Sequence, residues 1–120
     1  MTSVERSTLF LLPPGFTGES CGREFCPECA EMWGFLHYYP AILEALDIRY
    51  QEIWHPRAGL VALLGDGRWN CPTLVLPDDA QHTDHPDVKA ANGRRFIDSA
   101  RGISRYFASV YGTPVPRGSA

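Results

Sequence analysis

Short apolar runs separated by amphipathic segments give this chain the pattern of a small α/β protein. Residues 8–12 (TLFLL) are apolar throughout and are followed by two prolines and a glycine, which is typical of a strand buried on both faces. Residues 47–54 and 73–76 are rich in β-branched and aromatic side chains and predict two further strands. Residues 94–97 predict a short fourth strand, whereas residues 16–25 predict a loop.

Other segments have the period of an α-helix. The first begins at Pro27, and its apolar positions are Cys29, Trp33, Leu36, Leu43 and Leu46. Pro40 disfavours helical geometry at the residue before it, so we expect two pieces, the second ending near Leu46.

Residues 58–64 predict a short apolar helix. A last amphipathic helix is expected to start after Ser99, a good N-cap residue, and to stop at Gly112.

The order of these elements predicts one α/β domain over residues 1–112, with a four-stranded mixed sheet and flanking helices. The first two strands should be parallel and joined by a right-handed crossover. Residues 79–93 are polar and aperiodic, and we interpret them as an exposed insertion loop. Residues 113–120 are rich in Pro, Gly and Ser and predict a flexible tail.

Composition and charge narrow the class of protein. A chain of 120 residues, 44% of them apolar, suits one compact domain with a single core. Its net charge of −3 argues against a nucleic-acid partner. The apolar run near the N-terminus is too short for a signal peptide or a membrane span, so we expect a soluble, cytoplasmic protein. Thiols stay reduced in that compartment, and the four cysteines therefore indicate catalysis or metal binding.

The sequence Cys26-Pro27-Glu28-Cys29 carries the most specific chemistry. Its two thiols lie three residues apart at a helix start, where unpaired amide groups and the helix dipole stabilise a thiolate. Cys26 is thus the predicted nucleophile, and Cys29, one turn further on, the predicted resolving thiol. The neighbouring glutamates oppose a thiolate, so we expect a reductant or a mild exchanger.

A strand followed by CPEC on a helix start, and later by CPTLVL, resembles the thioredoxin superfamily. Within it, the pattern is closer to glutaredoxins and to the N-terminal domain of glutathione transferases. The strand start Pro72-Thr73, paired with the acidic-serine step Asp98-Ser99 before the last helix, resembles the glutathione site of the transferases. As a whole chain, the sequence is similar to an uncharacterised bacterial family of short thioredoxin-like proteins. The resemblance implies a thioredoxin-like fold and thiol–disulfide exchange that requires no cofactor.

The resemblance also implies further site residues. Pro72 would be a cis-proline, and the backbone of Cys71 would pair with the main chain of the substrate. Asp98 and Ser99 would hold the γ-glutamyl end of glutathione, aided by the positive end of the last helix. The implied partner is glutathione or a protein disulfide. The sequence departs from the pattern at Cys71, where the superfamily has a residue without a thiol, and in the long loop before Asp98.

Two alternatives follow from the same residues. Four thiolates at one end of the sheet would suit Zn²⁺ or an iron-sulfur centre, with Cys21, Cys26, Cys29 and Cys71 as ligands. The other alternative is a non-catalytic thioredoxin-like domain that docks another protein. Four aromatic residues nearly encircle the first helix, and exposed members of this set would form a homodimer or partner surface: Trp33, Phe35, Tyr38 and Tyr39.

Overall fold

Strands and helices occur largely in the predicted order. The structure, a computed structural model, describes residues 3–18 and 22–118. The strands in these residues are β1 Thr8–Leu11, β2 Phe16–Thr17, β3 Arg23–Glu24, β4 Asp47–Tyr50, β5 Thr73–Val75, β6 Lys89–Ala91 and β7 Arg94–Ile97. The helices are α1 Pro27–Tyr38, α2 Pro40–Glu44, α3 Ala58–Leu64 and α4 Ala100–Tyr111.

The main sheet is mixed and has five strands, in the order β4-β1-β5-β7-β6. Strands β1 and β4 are parallel, as predicted, and the other neighbouring pairs are antiparallel. The prediction of four strands was wrong because β6 lies in the segment interpreted as a loop. Strand β6 pairs with β7 through Asn92 and Gly93, which both have positive φ. Asn-Gly favours this tight hairpin turn, a local signal that the polar composition of the segment obscured.

Two other boundaries differ from the prediction. The predicted loop 16–25 contains β2 and β3, which pair with each other in a separate two-stranded sheet. Strand β4 ends at Tyr50, whereas the prediction extended it to residue 54. The side chain of Gln51 turns toward α3 and accepts a hydrogen bond from the backbone N–H of Leu60 at 3.3 Å. Gln51 therefore supports the next helix instead of prolonging an edge strand.

The break between α1 and α2 is confirmed. Tyr39 has φ −127° and ψ 68°, outside the helical region, and Pro40 starts α2. The buried face differs slightly from the predicted one: Met32 and Ile42 are buried, while Trp33 and Leu43 only pack against the edge of the core. Met32 follows Cys29 by three positions and precedes Leu36 by four, so it lies on the same face of α1 as these two buried residues.

The core lies on both faces of the central strands. Strand β1 is buried throughout, and α1 and α4 pack against each other over the sheet, with Phe35 stacked on Phe107 at 5.7 Å between ring centroids. Helix α4 begins and ends as predicted: the Ser99 side chain accepts from the N–H of Gly102 at 3.1 Å, and Gly112 has φ 77°. Among the described residues, we find no helix with the length and apolar character needed to cross a lipid bilayer.

Candidate functional site

Cys26 is the N-cap residue of α1. Its Sγ accepts a hydrogen bond from the backbone N–H of Cys29 at 3.2 Å, and Pro27 occupies the first helical position, where no N–H is needed. The side chain is half-buried and lines a groove at the surface. A helix N-terminus with its N–H donors is an environment that favours thiolates in general.

Cys29 lies one turn deeper and is almost fully buried, with 3% of its surface exposed. Its Sγ accepts from the backbone N–H of Leu12, directly after β1, at 3.4 Å. Burial raises the pKa of the Cys29 thiol well above its ordinary value, and the neighbouring Cys26 thiol adds to this increase. Burial therefore favours the protonated form of Cys29.

Cys71 and Pro72 lie opposite Cys26, at the start of β5. The peptide bond between them is cis, in agreement with what the resemblance implied for Pro72. The carbonyl oxygen of Cys71 lies 3.9 Å from the Cys26 Sγ. The Cys71 side chain is buried, with 7% exposed. The structure thus brings Cys26, Cys29 and Cys71 together at one end of the sheet.

Sequence reasoning missed Arg57, whose buried guanidinium lies behind Cys71. Arg57 donates to the carbonyl oxygens of Glu52 at 3.0 Å and Ile53 at 3.1 Å. It also donates to that of Trp69 at 2.9 Å, which joins the turn before α3 to the loop that leads to Cys71. Burial raises the pKa of the Cys71 thiol to about 11, although the positive charge of Arg57 acts in the opposite direction. No sequence pattern marks a single arginine for such a role.

Asp98 and Ser99, the residues that the resemblance assigns to glutathione, lie beside the Cys71 loop, and contacts within the chain occupy much of their polar surface. The Asn70 side chain donates to the carbonyl oxygen of Asp98 at 2.6 Å. The Asp98 carboxylate pairs with Lys89 at 2.8 Å. Ser99 caps α4, as described above. An incoming ligand would therefore compete with bonds that already exist.

Glu28, between the two cysteines, has a role that the sequence did not reveal. Its carboxylate accepts from the backbone N–H of Ala100 at 3.2 Å, so it caps α4 from α1. Glu31, one turn later, pairs with Arg101 at 2.8 Å. The two glutamates connect α1 to the start of α4. The sequence had suggested only that their charge opposes a thiolate at Cys26.

An apolar groove of about 310 Å³ adjoins the two thiols of α1. Its lining carries no charged side chain and consists of Leu12, Pro13, Pro14, Phe25, Cys26, Cys29, Ala30 and Trp33. Phe25, the residue before the N-cap, is 60% exposed. A large apolar side chain exposed beside a reactive sulfur favours an apolar group on whatever binds there.

The aromatic residues of α1 divide between two environments. Tyr38 is 75% exposed, whereas Trp33, Phe35 and Tyr39 pack partly against the core. Tyr38 also lines a second groove, which it shares with Pro114 and Pro116 of the C-terminal segment. A partner or homodimer surface on this helix stays a prediction.

Three of the four cysteines proposed as metal ligands lie in the described residues. Cys21 lies outside the described residues. In residues 3–18 and 22–118, no group of three or more Cys, His, Asp or Glu side chains has an arrangement that could hold a metal ion. Binding of Zn²⁺ or an iron-sulfur centre therefore has no support from the geometry of Cys26, Cys29 and Cys71.

The fold and the site define a small α/β protein, and within the described residues three thiols lie at one end of its mixed sheet. Comparison with protein families matches residues 6–115 to the family described as Protein of unknown function (DUF3088). Because the match covers most of the chain, the protein belongs to this family. Comparisons with curated proteins and with solved structures gave no match.

Proposed function

We propose that this protein is a thiol–disulfide oxidoreductase in which Cys26 is the nucleophile. The observation that carries the proposal is the position of the Cys26 Sγ, half-buried at the N-cap of α1 and 3.2 Å from the N–H of Cys29. Thiolates attack disulfides, and a helix N-terminus is one of the environments that stabilise them. No other thiol in the described residues is as accessible, since Cys29 and Cys71 are both buried.

The reaction has two exchange steps. The Cys26 thiolate attacks one sulfur of the substrate disulfide, a bond forms between them, and the other sulfur leaves as a thiolate. A second thiol of the protein then attacks the Cys26 sulfur and releases the remaining half of the substrate. The substrate is reduced to two thiols, and the protein is oxidised to an internal disulfide. Cys29, one helical turn away, is the resolving thiol in this scheme, and no cofactor is needed.

The arrangement of elements around the site supports the proposal that the fold is thioredoxin-like. Strand β1, helix α1 and the parallel strand β4 follow one another, and the cis Cys71–Pro72 peptide lies across from the CPEC helix start. In this proposal β4, β1, β5 and β7 are the common four-stranded core, and β6 is an addition at its edge.

The disulfide partner in this proposal is a protein disulfide or glutathione, and two observations favour the protein. Binding of glutathione at Asp98 and Ser99 would have to compete with Lys89 for the Asp98 carboxylate and with Glu28 at the start of α4. The groove beside Cys26 is apolar and uncharged, which suits an apolar side chain next to the substrate cysteine better than the charged ends of glutathione.

Capture of the mixed disulfide tests the function. Reduced protein is mixed with hydroxyethyl disulfide, quenched with acid at early times and digested for mass mapping of the cysteines. We expect the hydroxyethylthio group on Cys26 first, followed by an internal disulfide that includes Cys26. Label that appears first on Cys21, or only after denaturant is added, would overturn the proposal.

Trp33→Ala tests the role of the groove. We expect this variant to lose rate with dithiodipyridine, an uncharged aromatic disulfide, roughly three- to tenfold more than with the small aliphatic hydroxyethyl disulfide, since one wall of the apolar pocket is removed. The ratio of the two rates is the measurement, because it cancels any change in the reactivity of Cys26 itself. Tyr38→Ala, an exposed aromatic of the same helix, is the matched control and should leave the ratio unchanged. An equal loss with both disulfides would exclude the groove from substrate binding.

A further inference from the structure

Cys71 is the thiol that the two-cysteine scheme leaves unused. It follows the loop held by Arg57 and precedes the cis peptide bond to Pro72. Its carbonyl oxygen lies 3.9 Å from the Cys26 Sγ, so the backbone of Cys71 contacts the proposed nucleophile directly. The two thiols are close enough for a charge on Cys26 to affect the pKa of Cys71.

Arg57 gives Cys71 a fixed and positively charged neighbour. The guanidinium is buried, with 9% of the residue exposed, and three backbone carbonyl groups hold it in place. Its positive charge lowers the pKa of the Cys71 thiol, against the larger effect of burial. A buried cation beside a thiol stabilises the thiolate without needing solvent.

The surroundings of Cys29 differ in this respect. Burial and the neighbouring Cys26 and Cys71 thiols raise the pKa of Cys29, and the backbone N–H of Leu12 lowers it. None of these effects comes from a positively charged side chain. Around Cys71 the charged or titratable groups are Arg57, Cys26 and Glu52, with Arg57 the strongest of these. A positively charged side chain therefore opposes the effect of burial at Cys71, whereas none is among the groups that act on Cys29.

We propose that Cys71 is a second resolving thiol, held ready by Arg57, that completes exchange by forming a disulfide with Cys26. This inference rests on the proposed function, because it needs a mixed disulfide on Cys26. The Cys71 thiol loses its proton to solvent, and its sulfur attacks the Cys26 sulfur. A bond forms between Cys71 and Cys26, and the bond from Cys26 to the substrate breaks. The substrate sulfur leaves with the electron pair as a thiolate, so Cys71 is oxidised and the substrate sulfur is reduced, while the Cys26 sulfur stays at the disulfide level.

The test uses dithiobis(nitrobenzoate), a disulfide whose leaving thiolate is coloured. All variants carry Cys21→Ser, so that only Cys26, Cys29 and Cys71 remain. Attack by Cys26 releases one thiolate at a rate that depends on the reagent concentration, and internal resolution releases a second at a rate that does not. We expect the Cys29→Ser variant to keep the second phase. Its rate should be at least about tenfold higher than in the double variant that also carries Cys71→Ser, because the double variant has no thiol left for an intramolecular attack.

Mass mapping completes the experiment. The oxidised Cys29→Ser variant should contain a Cys26–Cys71 disulfide. The double variant with Cys29→Ser and Cys71→Ser should instead retain a thionitrobenzoate group on Cys26. Adding Arg57→Met to Cys29→Ser should move the pH profile of the second phase to higher pH. If Cys29→Ser stops at a stable mixed disulfide on Cys26, Cys71 is not a resolving thiol, although the proposed function stands. If no first phase maps to Cys26 in any variant, both proposals fail.

Discussion

Replacing Cys26 by serine is expected to lower the rate of disulfide reduction by at least about a thousandfold, because the variant lacks the sulfur that forms the covalent intermediate. Serine keeps the size and the N-cap function of the side chain, since its hydroxyl oxygen also accepts from the N–H of residue 29. The structural change should therefore be small. The measurement is the rate of hydroxyethyl disulfide reduction by the reduced protein, under single-turnover conditions.

Cys29→Ser is the matched control for this loss. It removes a thiol of the same motif, but the deeper one, and it should leave the rate of the first covalent step within a few-fold of the starting protein. Thermal unfolding should show that both variants are folded. Cys26→Ser protein that still reduces the disulfide at more than about a tenth of the original rate would mean that another thiol is the nucleophile.

The elements that sequence could predict are those with strong local signals. Pro40 has no N–H to donate and restricts the residue before it, so the break after α1 could be placed from the sequence alone. Ser99 and Gly112 mark the ends of α4 in the same local way. Strand β6 was missed because its side chains are mostly exposed and give no hydrophobic alternation, although Asn92-Gly93 carried the hairpin signal.

The same distinction between local signals and long-range contacts applies to the residues of the candidate site. Cys26 and Cys29 could be placed because both belong to one helix start, and a helix start has a sequence signature. Arg57 and Glu28 could not, because each acts on a segment far along the chain: Arg57 on the loop before Cys71, Glu28 on the N-terminus of α4. Such contacts depend on how loops meet in space, which periodicity does not encode.

The second large effect concerns stability and Arg57. We expect Arg57→Met to lower the free energy of unfolding by about 3 kcal/mol, because it leaves three partly buried carbonyl groups without their charged donor. Methionine is similar in length and apolar, so the loss reports the hydrogen bonds more than the packing. The measurement is urea denaturation at neutral pH, followed by circular dichroism.

Arg101→Met is the matched control, since it also removes an arginine, but from an exposed ion pair with Glu31 at 2.8 Å. Exposed pairs contribute little, so this variant should lose no more than about 1 kcal/mol. A similar loss in both variants would contradict the structural role of Arg57. The comparison bears on the site as well. Arg57 joins the turn before α3 to the loop that leads to Cys71 through the carbonyl oxygen of Trp69, and the Cys71 carbonyl lies beside the Cys26 Sγ. A large loss specific to Arg57→Met would therefore show that this part of the site depends on the arginine.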